Sequence, residues 1–254
     1  MSTGQITLLD LPSKEPCSSW SLNPWKSMSI PRPQTQNTRM LLNFKGLDYK
    51  TEWTEYEDIK PKVQPHLPPN ESGTPYTIPT VILPDNTCIM DSRKIANHME
   101  ESHPQPSVHL DSPILPKVEQ LTSDVFHHLL AVYIARIPVN LLNSHSADYW
   151  YTTRGEAVGM PVGEFEKKYG GEVAYAGAGP FLQKITALLR DNDAGPFFMG
   201  STVSYADFVW VSALVFFKRV DEDMYRQVLQ RTGDKGVHVK LVEACEPWLQ
   251  RDDY

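Results

Sequence analysis

Tyr76-Thr77-Ile78-Pro79-Thr80-Val81-Ile82-Leu83, followed by Pro84-Asp85-Asn86 and then by Cys88-Ile89-Met90-Asp91-Ser92, is the stretch that decides the fold. Its first part is a β-branched run with one proline inside. Proline cannot donate a ladder hydrogen bond, so Pro79 belongs at a strand start or edge. Pro84-Asp85-Asn86 makes a turn and Cys88-Ile89-Met90 resumes a strand, which predicts a β-hairpin. Asp91-Ser92 then caps a helix running to about Glu101. Upstream, Gln5 to Leu11 reads as a strand, Thr38 to Lys45 as a helix stopped by Gly46, and Leu47 to Tyr56 as a strand in which Tyr49, Thr51 and Trp53 alternate with mostly charged residues. Lys60 to Thr77 holds five prolines and reads as a surface loop. The order β-α-β then β-β-α is that of a small mixed sheet with helices.

From Ser112 the character changes. Ser112-Pro113 is a cap followed by a first-turn proline. Val118, Leu121, Val125, Leu129 and Ile134 recur at roughly helical spacing, and Pro138 is expected to kink or end that helix. Further helices are predicted at Ala147 to Val158, Phe181 to Asn192, Ser204 to Arg219, Glu222 to Arg231 and Val237 to Leu249. No convincing strand follows Met90. The reading is therefore two domains, residues 1–103 and 104–254, with the boundary in the Pro/His/Ser-rich stretch from Ser102 to Leu110.

The 254 residues are 41% hydrophobic and 22% charged, ordinary for a folded soluble protein. A net charge of −7 argues against a broad nucleic-acid or anionic-membrane surface, because phosphate contacts need a basic face. Three cysteines, Cys17, Cys88 and Cys245, make no disulfide framework and fit a reducing, cytoplasmic setting. The first residues lack the basic segment and long apolar core of a signal peptide. The longest apolar run, Phe208 to Phe217, is too short to span a bilayer.

Three patterns converge on one family. Tyr76-Thr77-Ile78-Pro79 before a hairpin, with Asp91-Ser92 opening the next helix, resembles the glutathione-binding half of glutathione transferases. Gly200-Ser201-Thr202-Val203-Ser204-Tyr205-Ala206-Asp207-Phe208 resembles the capping-box segment of a central helix in the second domain of that family, with Ser204 as cap, Asp207 three residues on, and Val203 and Phe208 as a hydrophobic staple. Asn23-Pro24-Trp25-Lys26 and Thr38-Arg39-Met40-Leu41-Leu42-Asn43-Phe44-Lys45-Gly46-Leu47 resemble the first helix of the fungal etherase-like members once residues 27 to 37 are set aside. Tyr49-Lys50-Thr51-Glu52-Trp53 and Tyr149-Trp150 with Thr153-Arg154 are also similar to that group.

The resemblance implies a thioredoxin-like N-terminal domain and an all-α C-terminal domain. It implies glutathione as co-substrate, held by Trp25, Lys26, Ile78, Pro79, Asp91 and Ser92. In the family the proline is cis, the residue before it offers its backbone to the cysteinyl part, and the acid-serine pair takes the γ-glutamyl end. It further implies a homodimer, and a bulky aromatic or natural-product electrophile bound between the domains, with Tyr133, Arg136, Trp150, Tyr151 and Arg154 as wall residues.

Glutathione's thiol is mostly protonated at neutral pH. Lowering a thiol pKa by about two units takes about 2.7 kcal/mol. A helix N-terminus supplies roughly 0.3–2 kcal/mol, and one hydrogen bond to a charged group roughly 1.5–3 kcal/mol. Together they suffice. A hydroxyl or amide donor just before the first helix is thus the expected design, and Ser21 and Asn23, ahead of Pro24, are the candidate catalytic residues, with Ser18 and Ser19 as fallbacks. Cys17 has no CxxC partner, and a lone loop cysteine is more often incidental than catalytic. Residues 27 to 37 carry Pro31 and Pro33, and continuing a helix through such residues costs about 3 kcal/mol or more. The segment is expected to loop out, with the helix restarting near Thr38.

Other constellations are weak. His98/His103 and His127/His128 do not share a helix face at zinc spacing, so no metal is expected. Gly177-Ala178-Gly179 follows no strand and lacks the remaining glycine of a dinucleotide loop. Three readings stand: an enzyme that uses glutathione thiolate for conjugation or leaving-group cleavage, an isomerase or other non-conjugating natural-product enzyme on the same scaffold, and a non-catalytic ligand carrier.

Overall fold

A computed structural model describes residues 4–14, 34–71 and 73–251. The N-terminal part holds β1 (Ile6–Asp10), α1 (Gln34–Phe44), β2 (Tyr49–Trp53), a 3₁₀ turn (Tyr56–Asp58), α2 (Ile59–Val63), β3 (Thr80–Ile82), β4 (Cys88–Met90) and α3 (Ser92–Ser102). The four strands form one sheet in the order β2-β1-β3-β4. β1 runs parallel to β2, with Ile6 opposite Tyr49, and β3 runs antiparallel to both β1 and β4. A parallel pair needs a crossover, and α1 supplies it. Leu8, Leu9, Leu11 and Val81 are fully buried, as a strand covered on both faces requires.

After α3 the chain is helical. α4 (Leu115–Asn140), α5 (Ser144–Val158), α6 (Val162–Tyr169), α7 (Gly171–Arg190), α8 (Tyr205–Val220), α9 (Glu222–Gln230) and α10 (Lys235–Leu249) follow in order. α8 is the central one. Its residues are buried almost without interruption from Tyr205 to Phe217, and Phe216 and Phe217 meet Phe126 of α4 at ring distances of 5.5 and 4.9 Å. A helix buried all round belongs in the middle of a bundle. This is the architecture expected of a thioredoxin-like half joined to an all-helical half.

The halves share apolar surface. Phe44 of α1, Phe208 of α8 and Trp248 of α10 form an edge-packed aromatic triangle with centroids 5.2–5.7 Å apart. Such pairs add about 0.5–1.5 kcal/mol each beyond area burial. Asn43 Nδ2 also donates to the Trp248 carbonyl at 2.8 Å.

Several expectations are corrected. α1 starts at Gln34, four residues before Thr38, so the last part of the 27–37 segment is helical, with Thr35, Gln36 and Asn37 buried. Proline tolerates the start of a helix because the first N–H groups lack partners anyway, and Pro33 stands next to that start. The Pro-rich stretch after Tyr56 is not all loop: α2 forms, with Ile59 and Val63 buried and Pro61 inside its short span.

Pro138 does not end α4. It removes the N–H that would bond the Ile134 carbonyl, and the Trp150 indole N–H donates to that carbonyl instead, at 2.9 Å. α6 and the first half of α7 were not foreseen. Gly177 lies inside α7 where a Cβ would collide with the His128 ring of α4, so this glycine serves close helix packing.

One buried polar network ties α7, α8 and α10. Trp210 Nε1 donates to His238 Nδ1 at 2.9 Å. That leaves the proton on Nε2, which lies 2.8 Å from Thr186 Oγ1, and the Thr186 hydroxyl donates to the Thr232 carbonyl at 2.7 Å. The neutral ring is fully partnered, and burial pushes its pKa down to about 4. An unfolded histidine titrates near 6.5, so between about pH 6.5 and 4 the unfolded chain binds the extra proton. The stabilising contribution is complete above the unfolded value and is lost as pH falls. Urea unfolding across pH 7 to 4 will show a steeper acid loss in the wild type than in His238→Gln. Parallel curves would contradict the assigned state of this ring.

Candidate active site

The site grows from the hairpin outward. The Ile78–Pro79 peptide is cis. Ile78 lies just before β3 and outside both of its strand registers, so its N–H and C=O take no part in the sheet ladder. The turn is held by neighbours. Thr80 Oγ1 donates to the Thr77 carbonyl at 2.8 Å, and the Thr77 N–H meets Met90 Sδ at 3.1 Å.

The chain leaves β4 and enters α3 through Asp91, whose φ is +88°. A non-glycine residue there is strained, and such positions persist when surrounding contacts hold them. Here the Asp91 N–H donates to the Pro79 carbonyl at 3.2 Å, tying the helix mouth to the proline turn. Asp91 Oδ1 accepts the N–H groups of Arg93 at 2.8 Å and Lys94 at 3.4 Å, so Asp91 itself caps α3. Ser92 is buried at the first helical position. The structure thus brings Ile78, Pro79, Asp91 and Ser92 to one place, where a helix N-terminus adjoins a peptide unit outside the sheet ladder.

The helical half reaches the same place. Phe197 and Gly200, and Met199 and Thr202, form short bridges before α8. Asp207 closes this loop: Oδ1 accepts the Phe198 N–H at 2.9 Å, and Oδ2 accepts the Ser204 N–H at 2.7 Å and the Ser204 hydroxyl at 2.8 Å. The expected capping box is present. Burial outweighs these bonds and pushes the Asp207 carboxyl up to about 6. Tyr205, the residue after Ser204, donates its N–H to the Val108 carbonyl at 2.7 Å and its hydroxyl to the Ser92 carbonyl at 3.4 Å.

Behind the turn, Asp10 at the end of β1 pairs with Arg39 of α1 at 2.9 Å, both side chains fully buried. Arg39 also donates to Thr51 Oγ1 at 2.8 Å and lies over the Trp53 ring at 5.3 Å. Breaking such a pair leaves an uncompensated buried charge, at a cost of about 3–5 kcal/mol.

The expected wall residues fall into two groups. Tyr133, Trp150 and Arg154 gather with Tyr56 of the 3₁₀ turn: Arg154 Cζ lies 4.4 Å from the Trp150 ring and 5.5 Å from that of Tyr56. Arg136 points its charge elsewhere, to Asp221 at 2.9 Å and Glu166 at 3.7 Å. Tyr151 is 44% exposed on α5. The remaining candidates, Ser21, Asn23, Trp25 and Lys26, with Cys17, Ser18 and Ser19, lie outside the described residues. Tyr56, Tyr205 and the Asp10–Arg39 pair were not singled out from sequence. Each acquires its place only through a partner far along the chain.

The chain belongs to the glutathione S-transferase family. The family's N-terminal domain matches residues 31–102 and its C-terminal domain matches residues 118–248. A glutathione S-transferase-like protein, ustS, of Aspergillus flavus is 27% identical over 241 residues, covering 84% of this chain and 82% of that protein. Among solved structures, glutathione transferase GSTFuA3 from Phanerochaete chrysosporium superposes with a TM-score of 0.79 at 25% identity, covering 96% of this chain and 97% of its own. The glutathione S-transferase CsGST63524 of Ceriporiopsis subvermispora, solved in complex with glutathione, gives 0.79 and 25%, covering 96% and 98%. No helix among the described residues is long and apolar enough to cross a membrane.

Asp207→Ala will remove three hydrogen bonds at a buried helix start and lower the unfolding free energy by about 2 kcal/mol or more. Denaturant titration checks this. A change within about 0.5 kcal/mol, the ordinary range for a surface substitution, would refute the structural weight given to this carboxylate.

Proposed function

We propose that the chain binds glutathione at the Ile78–Pro79 turn and the α3 mouth, and uses its thiol against a bulky aromatic or natural-product electrophile. The observation that carries this reading is the Asp91 N–H bond to the Pro79 carbonyl, because it sets an acid, a helix N-terminus and an unlaced peptide unit side by side. A γ-linked tripeptide has a matching order of groups. Its cysteinyl backbone can exchange hydrogen bonds with Ile78 as an added strand would. Its γ-glutamyl carboxylate suits the Ser92 hydroxyl and backbone N–H at the start of α3, beside the Asp91 cap that takes the Arg93 and Lys94 N–H groups. Its ammonium suits Asp91, whose Oδ2 takes no bond among the described residues. The solved relative with glutathione bound supports the same co-substrate.

When bound, the tripeptide supplies the nucleophilic sulfur. The protein's task is to position it and to stabilise its negative charge. Ser21 and Asn23 are the proposed donors for that charge, with Trp25 and Lys26 flanking the tripeptide. The second substrate would enter along the seam near Tyr133, Trp150 and Arg154. A homodimer in the cytoplasm completes the reading, by likeness to the family.

Asp91→Asn tests it cleanly. Asparagine caps a helix as well as aspartate does, so the fold is kept while the charge is lost. Calorimetric titration with glutathione will show at least tenfold weaker binding for Asp91→Asn and weaker binding for Ser92→Ala, with unchanged melting temperatures. Ser21→Ala and Asn23→Ala will bind glutathione but turn over at least tenfold more slowly. Equal affinity in wild type and Asp91→Asn would rule out this mode of binding.

A further inference from the structure

Arg154 is a buried cation with no carboxylate beside it among the described residues. Only 6% of the residue is exposed. Among the described residues its guanidinium meets neutral groups: Nη1 donates to Thr153 Oγ1 at 3.0 Å, and the ring faces of Trp150 and Tyr56 lie 4.4 and 5.5 Å from Cζ. The other buried basic side chains around the sheet are paired with acids, Arg39 with Asp10 and Lys45 with Glu100. The acids nearest this seam are engaged elsewhere. Glu55 accepts from Asn143 at 2.9 Å and from Ser146 at 2.5 Å, and Glu57 faces His145 at 3.8 Å.

A second group at the same place lacks a partner among the described residues. Tyr133 is fully buried, and its hydroxyl makes no hydrogen bond to any of them. A buried hydroxyl without an acceptor carries an unmet desolvation penalty. Tyr133 and Arg154 feel each other electrostatically, and burial disfavours charge on both, raising the phenol's pKa and lowering that of the guanidinium. Cation–π contacts offset part of the desolvation and keep Arg154 in place, but they supply no anion. One ligand chemistry answers both needs. A carboxylate accepts from a guanidinium fork and from a phenol at once, and charge-assisted bonds are the strong ones in a low-dielectric setting.

We propose that Arg154 and Tyr133 form a carboxylate-binding subsite at the seam between the two halves, which selects second substrates carrying an acid group on an aromatic body. The box draws on three separate elements, with Tyr133 from α4, Trp150 and Arg154 from α5 and Tyr56 from the turn after β2. The aromatic rings accept the apolar body and the two polar groups fix its acid end. This assignment rests on the proposed function for the word substrate, but the binding itself does not require glutathione.

Calorimetry with cinnamate and with its neutral analogue cinnamamide tests it. The wild type will bind cinnamate at least tenfold more tightly than cinnamamide. Arg154→Gln will erase that preference, Tyr133→Phe will reduce it several-fold, and Arg154→Lys, which keeps charge but loses the fork, will fall between. The wild-type comparison stands even if a variant fails to fold. Equal affinities for acid and amide in the wild type, or a preference that survives Arg154→Gln, would overturn the subsite. Repeating the titration in saturating glutathione separates the sources of the carboxylate. A preference that persists supports the second substrate, whereas one abolished by glutathione would assign the subsite to the tripeptide's own carboxylate and overturn the proposal. Glutathione's own binding heat, measured alone, reports separately on the function proposed above.

Discussion

The buried carboxylate of Asp207 is the constraint on which the arrangement of the site depends. α8 runs through the middle of the helical half with hardly a residue in water. The first N–H groups of such a helix have no intrahelical partners and no solvent to turn to. Asp207 reaches back to Ser204 and across to Phe198, so the helix start and the loop before it are fixed together. That in turn fixes Tyr205, which touches Val108 and Ser92 and so connects the helical half to the mouth of α3. The cost is visible in the carboxyl itself, which burial lifts to about 6 in spite of its three donors.

The N-terminal half meets the same demand with a charge pair. Asp10 and Arg39 join the end of β1 to α1 where neither can reach water. The aromatic triangle of Phe44, Phe208 and Trp248 then closes the two halves on each other with apolar contact. Polar groups set the register of the elements and apolar contact supplies the bulk of the adhesion. The proposed site lies at this junction, with the Ile78–Asp91–Ser92 groups proposed for glutathione on the sheet side and the Tyr133–Trp150–Arg154 box on the helical side.

What could be read from sequence was what local rules govern. The β-branched hairpin, the Asp91 cap and the Ser204–Asp207 box each depend on residues within a few positions, and each formed as expected. The rest depends on distant partners. Pro138 stays inside α4 because Trp150, twelve residues later, takes the carbonyl that the proline leaves free. The opening of α7 holds Gly177, whose use, close packing on His128, shows only when α4 is beside it. At the site, Asp91 and Ser92 were legible as a pair. The neighbourhood of Arg154 was not, since Tyr56 and Tyr133 reach it from upstream segments, about a hundred and about twenty residues earlier in the chain.

The central claim is that one cleft, made by Ile78 and the Asp91–Ser92 helix mouth, receives a γ-linked tripeptide. A crystal structure with saturating glutathione tests it most directly. The account predicts the cysteinyl backbone paired with Ile78 and the γ-glutamyl end against Asp91 and Ser92. Density for the tripeptide at any other place, or none at millimolar concentration, would contradict it.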